Sequence, residues 1–176
     1  MAIDGIVVKT RKPTKKEVGP SISSYRNRKV PWGIVVLAGV DSDCRFTMMC
    51  ARNSGGSHDC LVWDACELKQ AINDGALPEQ YYIVGDEAFV NTNQLLTPWS
   101  GRGLGNWKIS FNFHLSAMRQ CVERAFGQLI KRWGIFWRPL NCGIHFWPFI
   151  VTVFLGHTRA MCSGGISWMY MTMRAM

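Results

Sequence analysis

Cys121-Val122-Glu123-Arg124-Ala125-Phe126-Gly127, followed by Lys131-Arg132-Trp133, places a single carboxylate on an otherwise apolar and basic segment. Apolar residues recur around it at steps of three and four (Leu115, Met118, Val122, Phe126, Leu129, Trp133), which predicts a long helix over roughly 115–133. Glu123 lies one step off that stripe, out of keeping with its neighbours, and the natural partner for such an acid is a metal ion or a bound phosphate's counter-ion. Two more acids occupy suitable settings: Asp4 within Ala2-Ile3-Asp4-Gly5-Ile6-Val7-Val8, and Asp86 at the end of the apolar run Tyr81-Tyr82-Ile83-Val84-Gly85.

Working outward, Ile3 to Val8 is short and rich in β-branched residues, as a first strand should be. Trp32 to Val40 and Cys44 to Ala51, separated by Asp41-Ser42-Asp43, form a hairpin pattern with turn residues at its tip. Asn53-Ser54-Gly55-Gly56-Ser57 breaks the sheet. Leu61, Ala65, Leu68 and Ile72 then predict one helix over about 58–73, with Ser57 or Asp59 as its N-cap. A strand over 81–84 follows, then a loop rich in Gly, Thr and Asn to about Ile109, the Glu123 helix, and a last helix over about 147–161. Strand, hairpin, helix, strand, helix, helix is the order of an α/β domain: a mixed sheet flanked by helices.

With 176 residues, nearly half of them apolar, the chain is long enough for one domain with a substantial core. We assign 1–162 to that domain and 163–176 to a C-terminal tail. Seven cysteines with no Cys-x-x-Cys pair argue against a disulfide framework or a zinc knuckle and for a reducing compartment. No secretory signal opens the chain. Phe146 to Leu155, the longest apolar run, contains Pro148 and falls well short of the about twenty residues that span a bilayer.

The net charge of +8 is unevenly placed. Lys9, Arg11, Lys12, Lys15, Lys16, Arg26, Arg28 and Lys29 face one acid, Glu17, so seven of the eight net charges lie in this one segment. Prolines, glycine and serines without periodicity make 9–31 a long basic loop or mobile arm. A concentrated positive patch beside Asp4 suits a polyanion, because each neutralised phosphate releases condensed counter-ions.

Strand ends and a packed helix can bring Asp4, Asp86 and Glu123 together from distant positions. Carboxylates that close repel one another unless a cation intervenes. Hard oxygen ligands select Mg²⁺ or Mn²⁺ over zinc, and two such ions about 4 Å apart can drive an in-line phosphodiester displacement.

Ala2-Ile3-Asp4-Gly5, Asn27-Arg28-Lys29, Gly56-Ser57-His58-Asp59, Gly85-Asp86, Leu95-Leu96-Thr97-Pro98, Phe111-Asn112, Arg119 and Val122-Glu123-Arg124-Ala125-Phe126-Gly127 through Lys131-Arg132-Trp133 occur in that order over nearly the whole chain. Together they resemble the DDE-superfamily endonuclease domain of PIF/Harbinger-type transposases and their domesticated relatives. The resemblance implies an RNase H-like fold and a metal-binding triad of Asp4, Asp86 and Glu123, with the 37-residue step from Asp86 to Glu123 close to the family's usual spacing. The chain departs from the family in Glu87-Ala88-Phe89, where a small residue and a tyrosine are usual. Leu155-Gly156-His157-Thr158 only partly matches the usual Leu-His-Asn. The family's helical DNA-binding region would precede Asp4, so sequence-specific readout is expected from a separate DNA-binding partner protein.

Other residues carry paired readings. Asp59 is a helix cap, an acid supporting the triad, or even a triad member, and His58 is a loop histidine or a phosphate-orienting group. Arg119, four residues before Glu123, forms a plain helix ion pair, holds Glu123 in place, or contacts DNA. Trp32, Trp99 and Trp107 are core residues or stacking platforms for exposed bases.

The leading expectation is a nuclear, metal-dependent nuclease on duplex DNA, with two divalent ions held by the triad. Lys9, Arg11, Lys12, Lys15, Lys16, Arg28 and Lys29 would contact the backbone, and Asp59 and Arg119 would support the acids. The alternatives are a domesticated or truncated, non-catalytic DNA- or protein-binding module with the same fold, and a nuclease on RNA or hybrid duplexes.

Overall fold

The computed structural model describes residues 1–163. Five strands form one mixed sheet in the order β3-β2-β1-β4-β5. β1 (Ala2–Lys9) pairs antiparallel with β2 (Gly33–Val40) along its whole length, and β2 pairs antiparallel with β3 (Phe46–Ser54). On its other side β1 runs parallel to β4 (Ile83–Val84), which in turn runs parallel to β5 (Leu95–Leu96). A three-stranded antiparallel meander extended by two parallel strands, with helices on both faces, is the RNase H-like arrangement.

β2, Gly-Ile-Val-Val-Leu-Ala-Gly-Val, is buried at every position, as a central strand with a core on each face requires. On one face, Ala2, Val8, Val36, Ala38 and Val40 pack under α4 (Asn106–Arg132) and α5 (Phe146–Ser163), against Leu115, Val122, Phe126, Leu129, Trp147 and Val151. On the other, Ile3, Val35, Leu37 and Ile83 meet Val62 and Trp63 of α2 (Asp59–Asp64) and Ile72 of α3 (Glu67–Asn73).

Two helices differ from the sequence reading. The helix expected over 58–73 is two helices, because Cys66 turns extended and drops into the second core beside Met48. The buried face of α2 is therefore Val62 and Trp63, while Leu61 is exposed. α4 begins at Asn106, well before the expected start. Its first turns carry Trp107, Ile109 and Phe113 outward, so no burial pattern marks them. Within its stripe Met118 is exposed, and the small residues Cys121 and Ala125 pack inward. The tail, apart from Ser163 at the end of α5, lies outside the described residues.

The basic segment is also not a free arm. Lys15–Val18 forms a one-turn helix, α1, and Gly19–Tyr25 continues as 3-10 turns. Glu17 organises both: its carboxylate accepts from the Arg11 guanidinium, from the Thr14 amide at 2.9 Å and from the Ile144 amide at 3.3 Å. These donors hold its pKa down at about 2, the Arg11 hydrogen bond contributing most. Tyr25 meets Trp147 edge to face, its ring centroid 6.0 Å away.

Candidate metal centre

Asp4 sits in mid-sheet, opposite Ala38 on β2. On its other side β1 pairs with β4 only at Ala2 and Val84. The chain leaves the sheet at Gly85-Asp86 while β1 continues, so Asp4 has no strand neighbour there. Topology thus delivers Asp86 beside Asp4, at the carboxyl end of a parallel strand, where open α/β sheets place their ligands. Asp86 is steadied by accepting the Ala88 amide at 3.0 Å.

The third acid in the cluster is Asp59. Carboxylate oxygens of Asp4, Asp59 and Asp86 all lie within 4.8 Å of one another, the only such group of potential metal ligands among the described residues. Asp59 opens α2, but the N-cap is His58 and no side chain caps that end, so the capping role read from sequence does not hold. The route to Asp59 is stitched down: the Gly56 amide donates to the Ser24 carbonyl at 2.7 Å and the Gly55 amide to the Gly33 carbonyl at 2.8 Å. A Cβ on Gly55 would stand 2.5 Å from that Gly33 carbonyl oxygen, so only glycine lets the turn pack this closely.

Gly5 follows Asp4 directly and carries no signal of its own in the sequence. A Cβ there would come within 2.5 Å of an Asp59 carboxylate oxygen and 2.8 Å of its Cγ. Alternation along β1 explains the geometry. Asp4 faces the α4 side with Ala2 and Val8, whereas Gly5 faces the α2 side with Ile3 and Val7.

Burial pushes the Asp4 carboxyl above its ordinary pKa; the Gly5 amide at 2.8 Å and Arg119 pull it down, and Asp86 and Asp59 push it up further. Asp59 is likewise raised, by burial first and Asp86 second, with Lys29 and His58 opposing. The charge of Lys29, at the end of the basic segment, thus acts on Asp59.

Glu123 approaches from the other face on α4, its side chain 61% exposed, and does not belong to the tight cluster. It is tied to the cluster through Arg119, one nitrogen of which lies 3.3 Å from Asp4 Oδ2 and 3.8 Å from Glu123 Oε1. The two distances together cap the separation of those carboxylates. Arg119 is thus neither a simple intrahelical pair nor a solvent-facing cation: it bridges helix and sheet, its side chain 16% exposed and its Nε buried without a hydrogen bond.

Of the basic residues expected to face phosphate, Lys9, Lys12, Lys15, Lys16, Arg28 and Lys29 are exposed. Arg11 differs, with its donors taken by Glu17 and by the carbonyls of Cys142 and Lys12. Lys12 and Arg26 lie over the Trp32 ring, at 5.5 and 5.8 Å from its centroid. Trp99 and Trp107 are exposed and edge-packed, with Lys108 at 4.2 Å from the Trp99 centroid.

The family profile described as DDE superfamily endonuclease matches residues 3–156, a span that holds all four acids. The chain belongs to this family. Among curated proteins it is similar to Protein ALP1-like of Arabidopsis thaliana, 28% identical over 138 residues. That alignment covers 69% of this chain and 34% of the relative, so the chain matches about a third of that protein's length. No solved structure matches. Membership supports a nuclease- or transposase-like function, and endonucleases of this superfamily work with divalent metal ions. The donor set fits such an ion: several carboxylates within reach of one another and no thiol or imidazole. Among the described residues no helix is long and apolar enough to cross a membrane.

Proposed function

We propose that this chain cuts or joins DNA phosphodiesters, in the manner of Harbinger-type transposases, using Asp4, Asp86 and Glu123 with Mg²⁺ or Mn²⁺. The observation that carries the reading is the convergence of carboxylates beside β1, costly for the fold unless cations are held there. When bound, such ions supply Lewis-acid activation of a water or 3′-hydroxyl and charge stabilisation at the leaving oxygen. The chain's own residues position the acids: the Gly5 amide fixes one Asp4 oxygen, the Ala88 amide fixes Asp86, and Arg119 holds Glu123 toward Asp4. The exposed cations of 9–29 track the backbone. In this reading the substrate is duplex DNA in the nucleus, and a separate DNA-binding partner brings sequence specificity.

One observation favours the alternative, a binding module that keeps the fold without cutting: Arg119 already neutralises both Asp4 and Glu123. Supercoiled-plasmid nicking with Mg²⁺ or Mn²⁺ separates the two. The nuclease reading expects nicking that Glu123→Gln and Asp4→Asn each abolish. Equal nicking by wild type and both variants, or none by any, refutes it.

A further inference from the structure

We infer that Trp99 and Trp107, with Lys108 over both rings, form a stacking platform for unpaired bases of the DNA strand that runs to the acids. This rests on the nuclease reading above and deepens it by naming a second contact on the same substrate, made by rings rather than carboxylates.

The first support is how the rings are held. Trp99 is 43% exposed and Trp107 62% exposed, although large aromatic side chains gain most from burial. The Asn112 side chain accepts from the Trp99 amide at 2.8 Å and donates to the Trp99 carbonyl at 2.9 Å, which fixes the loop before α4 onto the helix. The two rings meet edge to face, with centroids 5.5 Å apart and planes at 77°. Such a contact covers a face of at most one ring, so flat indole surface stays open to solvent. Rings fixed in advance lose little freedom when a ligand stacks on them.

Charge supplies the second support. The Lys108 ammonium lies 4.2 Å from the Trp99 centroid and 5.4 Å from that of Trp107. No acid occurs between Glu87 and Glu123, a stretch that holds Arg102, Lys108 and Arg119. Aromatic rings among cations, without a carboxylate, match a base and its phosphate. A second copy of this chain would bring the same cations to the contact.

The third support is direction. Lys108, Asn112, Arg119 and Glu123 follow at steps of four, seven and four, so they share one face of α4. At about 1.5 Å per residue, Lys108 stands about 22 Å along the helix from Glu123, the length of about six or seven nucleotides of one strand. The face that brings Arg119 and Glu123 toward Asp4 thus leads back to the platform. A base inside a duplex is covered by its neighbours, so the rings can engage only an unpaired one. Strand ends, which an enzyme that cuts or joins DNA must hold, fray and supply such bases.

The test uses the whole chain in EDTA, with fluorescence anisotropy on a labelled oligothymidylate of about twenty nucleotides and on a duplex of about twenty base pairs, each longer than one single-strand site. Wild type, Trp99→Ala, Trp107→Ala, Trp107→Phe and Lys108→Ala are compared with Trp137→Ala. Trp137 is 67% exposed but lies beyond the far end of α4, its indole bonded to the Ile130 carbonyl. Melting curves establish that each variant folds. Trp99→Ala and Trp107→Ala should each lose at least about fivefold on the single strand and stay within about twofold on the duplex. Trp107→Phe, which keeps a ring, should recover most of that loss. The salt slope should be unchanged in the tryptophan variants and flatten by about 0.7 in Lys108→Ala. Single-strand affinity that both alanine variants retain overturns the inference, as does an equal loss on the duplex or in Trp137→Ala. A dimer seen in sedimentation that Trp107→Ala abolishes, with DNA affinity unaltered, makes the patch a protein contact and also overturns it. Each of these leaves the nuclease reading standing, whereas a wild type that binds neither probe removes both.

Discussion

Replacing Arg119 by Met should destabilise the metal-free protein in a way that depends on pH and is relieved by a divalent ion. At 3.3 Å and an effective dielectric constant of about 20, the Arg119–Asp4 attraction is worth about 5 kcal/mol before any opposing term. Both side chains retain some exposure, so solvent screening reduces that figure. The variant also removes a buried guanidinium Nε that has no hydrogen bond, recovering about 1–3 kcal/mol of desolvation cost. Methionine keeps the aliphatic packing. The net loss should be about 1–2 kcal/mol at pH 7 in EDTA, measured by urea denaturation. Asp4 already titrates above its ordinary value, and Arg119 is one of the groups holding it down. A carboxyl with a raised folded pKa contributes stability that is complete below its unfolded value and lost as pH rises through the folded one. Removing Arg119 raises the folded pKa further, so the deficit should be full at pH 7 and shrink toward pH 4. Saturating Mn²⁺ should stabilise the variant more than the wild type, since no guanidinium competes for Asp4. A deficit that is absent at pH 7, or equally large at pH 4, would refute the reasoning.

Glu17→Gln should loosen the basic segment. Because the Glu17 carboxyl is depressed to about 2, its contribution is present above the ordinary glutamate range. It fades as pH falls toward 2, so thermal melts of variant and wild type should differ at neutral pH and converge in strong acid. Trp147→Ala empties a site with no solvent exposure and should cost about 3–5 kcal/mol in chemical denaturation. Replacing Lys12, Lys15 and Lys16 together by Ala should weaken duplex binding regardless of sequence. The log–log salt slope should flatten by up to about 0.9 for each phosphate that is no longer neutralised, and an unchanged slope would show that this segment does not touch the backbone.

How much of the fold is legible in the sequence depends on whether a pattern is local. The β1 and hairpin strands are legible because β-branched runs bounded by turn residues specify them without tertiary help. β5, two residues at Leu95–Leu96, is too short to carry any periodicity and exists only through its pairing with β4. The early start of α4 is hidden because Trp107, Ile109 and Phe113 face solvent, leaving apolar residues that mark no core. Cys121 and Ala125 escape the stripe because small side chains carry little hydrophobic signal, although they let a helix lie close on a sheet. At the site, Asp4 and Asp86 stand out as acids ending or interrupting apolar strands. Asp59 reads as a cap because the Ser57-His58-Asp59 context looks like a helix start. Its true direction is set by Gly5, more than fifty positions away in the chain. Arg119 shows its link to Glu123 in the four-residue spacing, but the bridge to Asp4 is a long-range contact that no local pattern encodes.

β1 lies between two separate cores, and the acids beside it are recruited from both. Asp59 arrives only when the α2 layer has docked, and Arg119 with Glu123 only when α4 has docked on the opposite side. A nascent or partly unravelled chain holds these residues far apart and has no assembled acid cluster, however many of its helices have formed. On the nuclease reading proposed above, this ties the capacity to cut DNA to the completion of folding. On that reading half-made copies are harmless by construction, and an immature chain needs no inhibitor to keep it silent.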